Sequence, residues 1–311
     1  MLEQTAVPKL ARSTALRYFS EVAECGSFRG ASEALRIAAS AINRQVSNLE
    51  ADLGVKLFER PRGRAGLHLT EAGRILQFRL RSAINELRIA NEEIVALQGL
   101  QRGHVNIGVN DVLANDLLPT LISDFRSIGP KITYKITVDN SRSLLGKLKD
   151  GEIDLAVGYN FPSNEGLLFR AVNSIKMYLI APKNHILAKH KSVSLLDLSG
   201  SDILLPDKTF ILQQIVEVAL RASKVRANLI LETNSLPLIS SLVERGVGVS
   251  IVAGRIELGE NQARVVHVEI KDALLPHSEL SCCVLPYRSL SAAAEAFIEK
   301  IASAIKSGKY V

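Results

Sequence analysis

Disulfide chemistry, membrane spans and recognisable catalytic signatures are all missing from this chain. Only three cysteines occur among its 311 residues, Cys25, Cys282 and Cys283. Three cannot all pair, and the adjacent two are poorly placed to bridge each other, which excludes a disulfide-stapled exported scaffold and fits a reducing compartment. As unpaired thiols they are expected to act as small buried hydrophobes. No apolar run approaches the roughly 20 residues of a membrane span, and the first residues, Met1 to Lys9, carry no apolar core of signal-peptide length. A soluble, cytoplasmic protein is expected. There is no G-x-S-x-G elbow, no G-x-x-x-x-G-K-[ST] loop, no H-E-x-x-H and no C-x-x-C. His185 and His190 stand five apart, off a common helical face and far from any cysteine, so they read as surface histidines rather than zinc ligands. Gly246-Val247-Gly248 reads as a helix stop rather than a phosphate loop. The chain is expected to be no enzyme and to need no metal or cofactor, although an α/β half of this size has room for an unrecognised catalytic site.

What is present begins with two short helical patterns and a basic turn between residues 28 and 64. Phe28, Ala31, Ala34 and Leu35 recur at helical spacing behind Ser27, a plausible N-cap. A second pattern runs from 39 to 52, burying Ala41, Ile42, Val46 and Leu49, and Gly54 stops it. Any single pair of such helices is more often a hairpin that merely packs. Here a third helix precedes them (Leu16, Phe19, Val22, Ala23), and two short strand signals follow, 57–60 and 67–69, around Pro61-Arg62-Gly63-Arg64-Ala65-Gly66. This order of parts describes a winged helix-turn-helix, whose second helix is narrow enough to enter a DNA major groove. The formal net charge of +6 favours an anionic partner, weakly on its own.

The run Leu16-Arg17-Tyr18-Phe19 through Gly26-Ser27-Phe28, then Ala31-Ser32-Glu33-Ala34-Leu35, then Asn43-Arg44-Gln45-Val46-Ser47-Asn48-Leu49-Glu50 onward to Leu57-Phe58-Glu59-Arg60, closing with Leu69-Thr70-Glu71-Ala72-Gly73, resembles the DNA-binding domain of LysR-type transcriptional regulators. The resemblance implies a sequence-specific regulator of double-stranded operator DNA controlled by a small-molecule effector. It also implies frequent assembly as tetramers and RNA polymerase as a further candidate partner. One departure stands out. Where the family commonly opens its recognition helix with Ser-Gln-Pro, this chain has Ala38-Ala39-Ser40, so either the helix lacks a side-chain cap or it starts later, at Ser40.

From Thr70 a helical pattern runs to about 98, with Leu76, Leu80, Ala83, Leu87, Ala90, Ile94 and Leu97 alternating steps of four and three. So narrow a stripe is most easily buried against a second copy, as in a coiled coil; the competing reading packs it on the chain's own C-terminal half. Beyond it, strand and helix signals alternate: strands at 104–109, 131–138 and 153–157 around helices at 113–125 and 143–149. A second series follows, opening with a strand at 175–181. This predicts an α/β protein with parallel sheets. The expected organisation is a winged helix-turn-helix over residues 1–70, a dimerisation helix over 71–98 and an effector domain over 104–311. By the family resemblance, that domain is periplasmic-binding-protein-like, with one subdomain of 104–167 and 272–306 and another of 168–271, the crossovers lying near 167–170 and 269–273.

Candidate DNA contacts are Ser40, Asn43, Arg44 and Ser47 on the recognition helix and Arg60, Arg62 and Arg64 on the wing. Effector contacts are expected at helix starts facing the cleft: Asn110, Asp111 and Val112, then Asp207, Thr209 and Phe210, then Asn234 and Ser235. Exposed N–H groups there suit carboxylates or phosphates. Asp111 is first expected to cap its own helix; facing the cleft, it would favour an amine or hydroxyl instead. An exported solute-binding protein would share the cleft but would need a signal peptide and would carry no recognition helix.

Overall fold

The computed structural model describes residues 14–59, 67–97, 102–129, 131–163, 165–255 and 264–308. The chain forms two compact units, one of Met1–Arg102 with the short segments Asp150–Glu152 and Arg288–Ser291, the other of the remainder.

The first unit contains α1 (Thr14–Cys25), α2 (Phe28–Leu35), α3 (Ala39–Leu53), β1 (Phe58–Glu59), β2 (His68–Leu69) and α4 (Glu71–Leu97). Local chemistry sets these boundaries. Ser27 is extended and its Oγ accepts from the Gly30 N–H at 3.0 Å, capping α2. Gly54, at a φ of 70°, closes α3 in the left-handed conformation that glycine adopts without strain. Thr70 Oγ1 accepts from the Gly73 N–H at 3.0 Å and donates to the Lys56 carbonyl at 2.7 Å, tying the start of α4 to the end of the wing's approach. Phe19, Val22, Ala31, Ile42, Val46 and Leu57 form the core. β1 and β2 pair antiparallel, Phe58 opposite Leu69. The turn between them, with Arg60, Arg62 and Arg64, lies outside the described residues.

The stripe expected along α4 divides. Leu76, Leu80 and Ile84 pack into the helix-turn-helix core. Ala83 and Ala90 remain exposed, and Ile75 and Ile94 are 57% and 58% exposed. Two positions of the heptad seam are thus used by their own domain, because the first turns of a helix that leaves a small domain must also cover that domain's core.

In the second unit, β3 (Arg102–Val109), α5 (Asp111–Ile128), β4 (Lys131–Val138), α6 (Ser141–Lys149), β5 (Leu155–Tyr159) and β6 (Leu168–Ile175) come first. Then follow β7 (Met177–Pro182), β8 (Ser192–Val193), β9 (Asp202–Pro206), α7 (Ile211–Ala222), β10 (Asn228–Thr233), α8 (Leu236–Glu244), β11 (Ser250–Ala253) and β12 (Val265–Ile270). The chain closes with β13 (Ser278–Val284) and α9 (Ala292–Lys306). One sheet has the order β4-β3-β5-β13-β6 and the other β11-β7-β12-β8; a parallel β9-β10 pair joins the second through a bridge between Ile203 and Val249. β7 is buried along its whole length, the mark of a strand covered on both faces.

Two expectations are corrected. The sheets are mixed rather than parallel: β3 runs parallel to β5, but β13 is antiparallel to both β5 and β6, since it enters from the opposite end after the chain has built the other sheet. The subdomain change expected at 167/168 also falls later. Leu168–Ile175 is the edge strand of the first sheet, held by β13 from Ser278 opposite Ile175 to Val284 opposite Leu168, and the chain crosses to the second sheet at Lys176. The return crossing lies between Ile270 and Ser278.

Candidate functional site

Two surfaces carry the expected site residues. On α3, Ser40, Asn43, Arg44 and Ser47 are all exposed and share one face, while Ile42, Val46 and half-buried Leu49 face the core. A helix that turns Ile42 and Val46 inward and presents Ser40, Asn43, Arg44 and Ser47 on one exposed face has the form a major groove accepts. Ala38 is the N-cap, without a side-chain hydrogen bond, so Ser40 does not serve as the cap and its hydroxyl stays on the exposed face.

Glu50 was not among the expected site residues, yet it fixes the position of α3 against the wing. It is 8% exposed, and its Oε1 accepts from the Leu57 and Phe58 N–H groups at 2.9 and 3.3 Å. Its Oε2 pairs with Lys56 Nζ at 2.6 Å. Burial alone would raise its pKa; the Lys56 hydrogen bond, the two backbone N–H groups and the Lys56 charge outweigh burial and hold the carboxyl below its ordinary value. The available signal was a glutamate on the buried side of an amphipathic helix. Close approach is also fixed at Gly73, where a Cβ would meet the Leu57 carbonyl oxygen at 2.2 Å. Cys25, expected to be buried, is exposed, because it ends α1 on the solvent side; Cys282 and Cys283 are buried, and burial pushes the Cys283 thiol up to about 12.

Between the two sheets of the second unit lies a cavity of about 60 Å³. The first turns of four helices reach it: Asp111 and Val112 of α5, Ser141 of α6, Ile211 and Leu212 of α7, and Leu236 of α8. The opening N–H groups of a helix have no intrahelical partner and carry its positive pole, so four such ends favour negative groups in this small volume, opposed by the Asp111 carboxylate in the same lining. Tyr159 and Ser278, from β5 and β13, complete the lining with Phe210. Burial, with the charge of Asp116, pushes the Tyr159 phenol far above its ordinary pKa, so it is a neutral donor at any working pH. A wider groove of about 610 Å³ adjoins through Asn140 and is lined by Arg142, Lys208, Asp207, Thr209 and Glu232.

The expected effector residues fall into three groups. Asn110, Asp111, Val112 and Phe210 line the cavity, and Asp207 and Thr209 line the groove. Asn234 and Ser235 line neither: the Ser235 Oγ is the cap of α8, accepting from Leu238 N–H at 3.4 Å, and Leu236 reaches the cavity instead. Asn110 is engaged within the protein. Its Oδ1 accepts from the Tyr159 N–H at 2.9 Å and Ser141 Oγ at 3.2 Å, and its Nδ2 donates to the Asp139 carbonyl at 2.8 Å. Gly158 must be glycine to admit it, since a Cβ there would stand 2.4 Å from Oδ1. Asp111 is the first residue of α5, and Asn110 occupies the cap position, so the carboxylate does not cap its own helix.

Residues 98–306 match the model of the LysR substrate binding domain, and residues 13–74 match that of the bacterial regulatory helix-turn-helix protein, lysR family. The chain belongs to the LysR family. It is a LysR-type transcriptional regulator, with a helix-turn-helix DNA-binding domain and an effector-binding domain. Among its relatives, the transcriptional dual regulator GltC of Bacillus subtilis (strain 168) is 34% identical over 238 residues, 76% of this chain and 79% of that protein. A probable RuBisCO transcriptional regulator of Cyanophora paradoxa is 32% identical over 92% of this chain and 90% of its own length. A full-length variant of OxyR from Pseudomonas aeruginosa shares the fold at a TM-score of 0.71 and 21% identity, over 94% of each chain. No helix among the described residues of this LysR-type regulator is long and apolar enough to cross a membrane.

Proposed function

We propose that this regulator reads operator DNA through Ser40, Asn43, Arg44 and Ser47, grips phosphates or the minor groove through Arg60, Arg62 and Arg64, and answers to a small anionic effector in the cleft. The observation that supports the effector class is the convergence of four helix N-termini on one cavity. A carboxylate would accept from the opening N–H groups of α5 and α7, with a hydroxyl or carbonyl of the same ligand near Tyr159 and Ser278. Asp111 sets the limit on this: it favours a hydroxyl or amine on the same molecule over a second anionic group at that end. Phe210 and Val112 supply the apolar walls, and Asp207 and Thr209 edge the mouth. Binding of an effector between the sheets shifts the angle between them, and this conformational change carries the signal. The protein acts as a homodimer or homotetramer in the cytoplasm, without catalysing a reaction, and RNA polymerase is its candidate downstream partner.

Two measurements test this reading. In fluorescence anisotropy against the region upstream of the protein's own gene, Arg44→Ala should flatten discrimination between operator bases by about 1–3 kcal/mol, while Arg62→Ala should weaken all sequences alike and lower the salt slope by about one. Equal losses for Arg44→Ala on cognate and scrambled duplexes would remove its assigned role. In a thermal-shift screen, hydroxy- and keto-carboxylates should stabilise the full-length protein, and a response confined to amines would overturn the effector class.

A further inference from the structure

Arg36 stands at the joint between α2 and α3 in a backbone conformation that few residues adopt. It ends α2 at a φ of 55° and a ψ of 43°, in the left-handed region. Glycine has no Cβ to crowd the following carbonyl there, and asparagine offsets the crowding with a local hydrogen bond; arginine does neither. The joint is nevertheless tightly held. The Arg36 N–H donates to the Ser32 carbonyl, the Ile37 N–H donates to the same carbonyl at 3.2 Å, and Ser32 Oγ donates to the Ile37 carbonyl at 2.7 Å. Ile37 packs against the core of the first unit, while Arg36 is exposed.

Other arginines of that unit are engaged within it. Arg29 holds Glu33 at 3.2 Å, Arg74 holds Glu71 at 2.6 Å, Arg81 holds Glu152 at 2.9 Å and Arg88 holds Glu92 at 2.6 Å. The Arg36 guanidinium has no ion-pair or hydrogen-bond partner among the described residues, and Glu33, the carboxylate one helical turn before it, is taken by Arg29. Arg44 on α3 is free in the same way. We infer that Arg36 is a further DNA contact, a phosphate clamp at the entrance to the recognition helix that adds affinity without reading sequence.

The inference rests on α3 lying in the major groove. Four residues of extended chain span at most about 14 Å, so the Arg36 backbone stands within that distance of Ser40. The groove is about 12 Å wide with phosphates along both walls, and a docking that sets Ser40 at a base edge brings the Arg36 side chain to one of them. The planar guanidinium suits two phosphate oxygens, and here it breaks no internal ion pair when it binds. The hydrogen-bonded turn also holds its backbone in place beforehand, so the contact orders little more than the side chain.

Fluorescence anisotropy of the full-length protein tests this, with salt varied from about 50 to 200 mM on the duplex upstream of its own gene and on a scrambled duplex. Arg36→Gly and Arg36→Asn each supply a residue that the left-handed turn accepts. Both should weaken the two duplexes alike, by about three- to tenfold, and lower the salt slope by about one, with a Tm that holds or rises. Arg36→Lys should keep the slope. Arg221→Ala, which removes one positive charge from the second unit, should change neither slope nor affinity. The inference is overturned if Arg36→Gly and Arg36→Asn bind like the parent, if Arg221→Ala lowers the slope as much, or if the loss is confined to the upstream duplex. It is also overturned if binding falls only together with the Tm, which would assign Arg36 to the fold. Arg44→Ala separates this contact from the placement of α3. Discrimination lost in Arg44→Ala beside an unchanged slope in Arg36→Gly rejects the Arg36 contact alone, whereas no change in either variant removes α3 from the groove and the contact with it.

Discussion

Glu50→Gln keeps an oxygen that can accept from the Leu57 and Phe58 N–H groups but sets an amide NH2 against the Lys56 ammonium in place of the carboxylate. It should lower the stability of the first unit by about 1–2 kcal/mol at neutral pH, read by urea denaturation. The pH dependence has a definite sign. The folded carboxyl titrates below its unfolded value near 4.5, so its contribution is complete above that value and is lost as pH falls through the lower folded one. The gap between parent and variant should narrow in unfolding curves as pH falls below the unfolded value near 4.5, and a gap that stays constant across pH would reject the ionised role. At the same scale, Asn110 is the residue on which the cleft depends. Asn110→Ala would take from the Tyr159 N–H and the Asp139 carbonyl their bonds to its side chain, while the Ser141 hydroxyl keeps the Tyr159 carbonyl at 2.7 Å, and should cost the second unit about 1–3 kcal/mol while abolishing the response to any cleft ligand. Unchanged ligand response in this variant would show that the staple does not shape the site.

Among the elements, α3 opens without a capping side chain. With Ala38 at its cap, the helix forgoes a side-chain acceptor for its opening N–H groups. Ala38→Ser should stabilise the helix-turn-helix by about 1 kcal/mol, seen as a rise in Tm, and a fall would mean that the extended backbone of residue 38 is itself required for the turn. α4 carries two duties on different turns. Its start covers the helix-turn-helix core through Leu76 and Leu80, and further along Ile94 is left on the surface, 58% exposed. Ile94→Glu should shift the protein from dimer toward monomer by sedimentation velocity and weaken operator binding with it, because two half-sites need two recognition helices. A dimer undisturbed by this change would move the proposed contact off α4.

For the molecule as a whole, what could be read from residue order was what depends on near neighbours in the chain. The Ser27 cap, the Gly54 stop, the spacing of Ile42 and Val46 and the exposed face of Ser40, Asn43, Arg44 and Ser47 all follow from the 3.6-residue period and the hydrogen-bonding habits of single side chains. Helix starts facing the cleft were legible for the same reason, and Asn110, Asp111, Val112 and Phe210 do line it. Ser235 caps α8 and lines neither the cavity nor the groove, and a serine that caps a helix and one that lines a cavity look alike in a linear string. Only the tertiary structure decided which strands lie together. Leu168–Ile175 joins the first sheet because β13, more than 100 residues later, supplies its hydrogen bonds, and no local period encodes a partner so distant. Tyr159 and Ser278 meet across the same separation, and the carboxylate of Glu50 finds its donors around a turn. Period and caps are properties of consecutive residues, whereas a cavity is a property of which surfaces are brought face to face, and that is settled by burial and pairing over the entire chain.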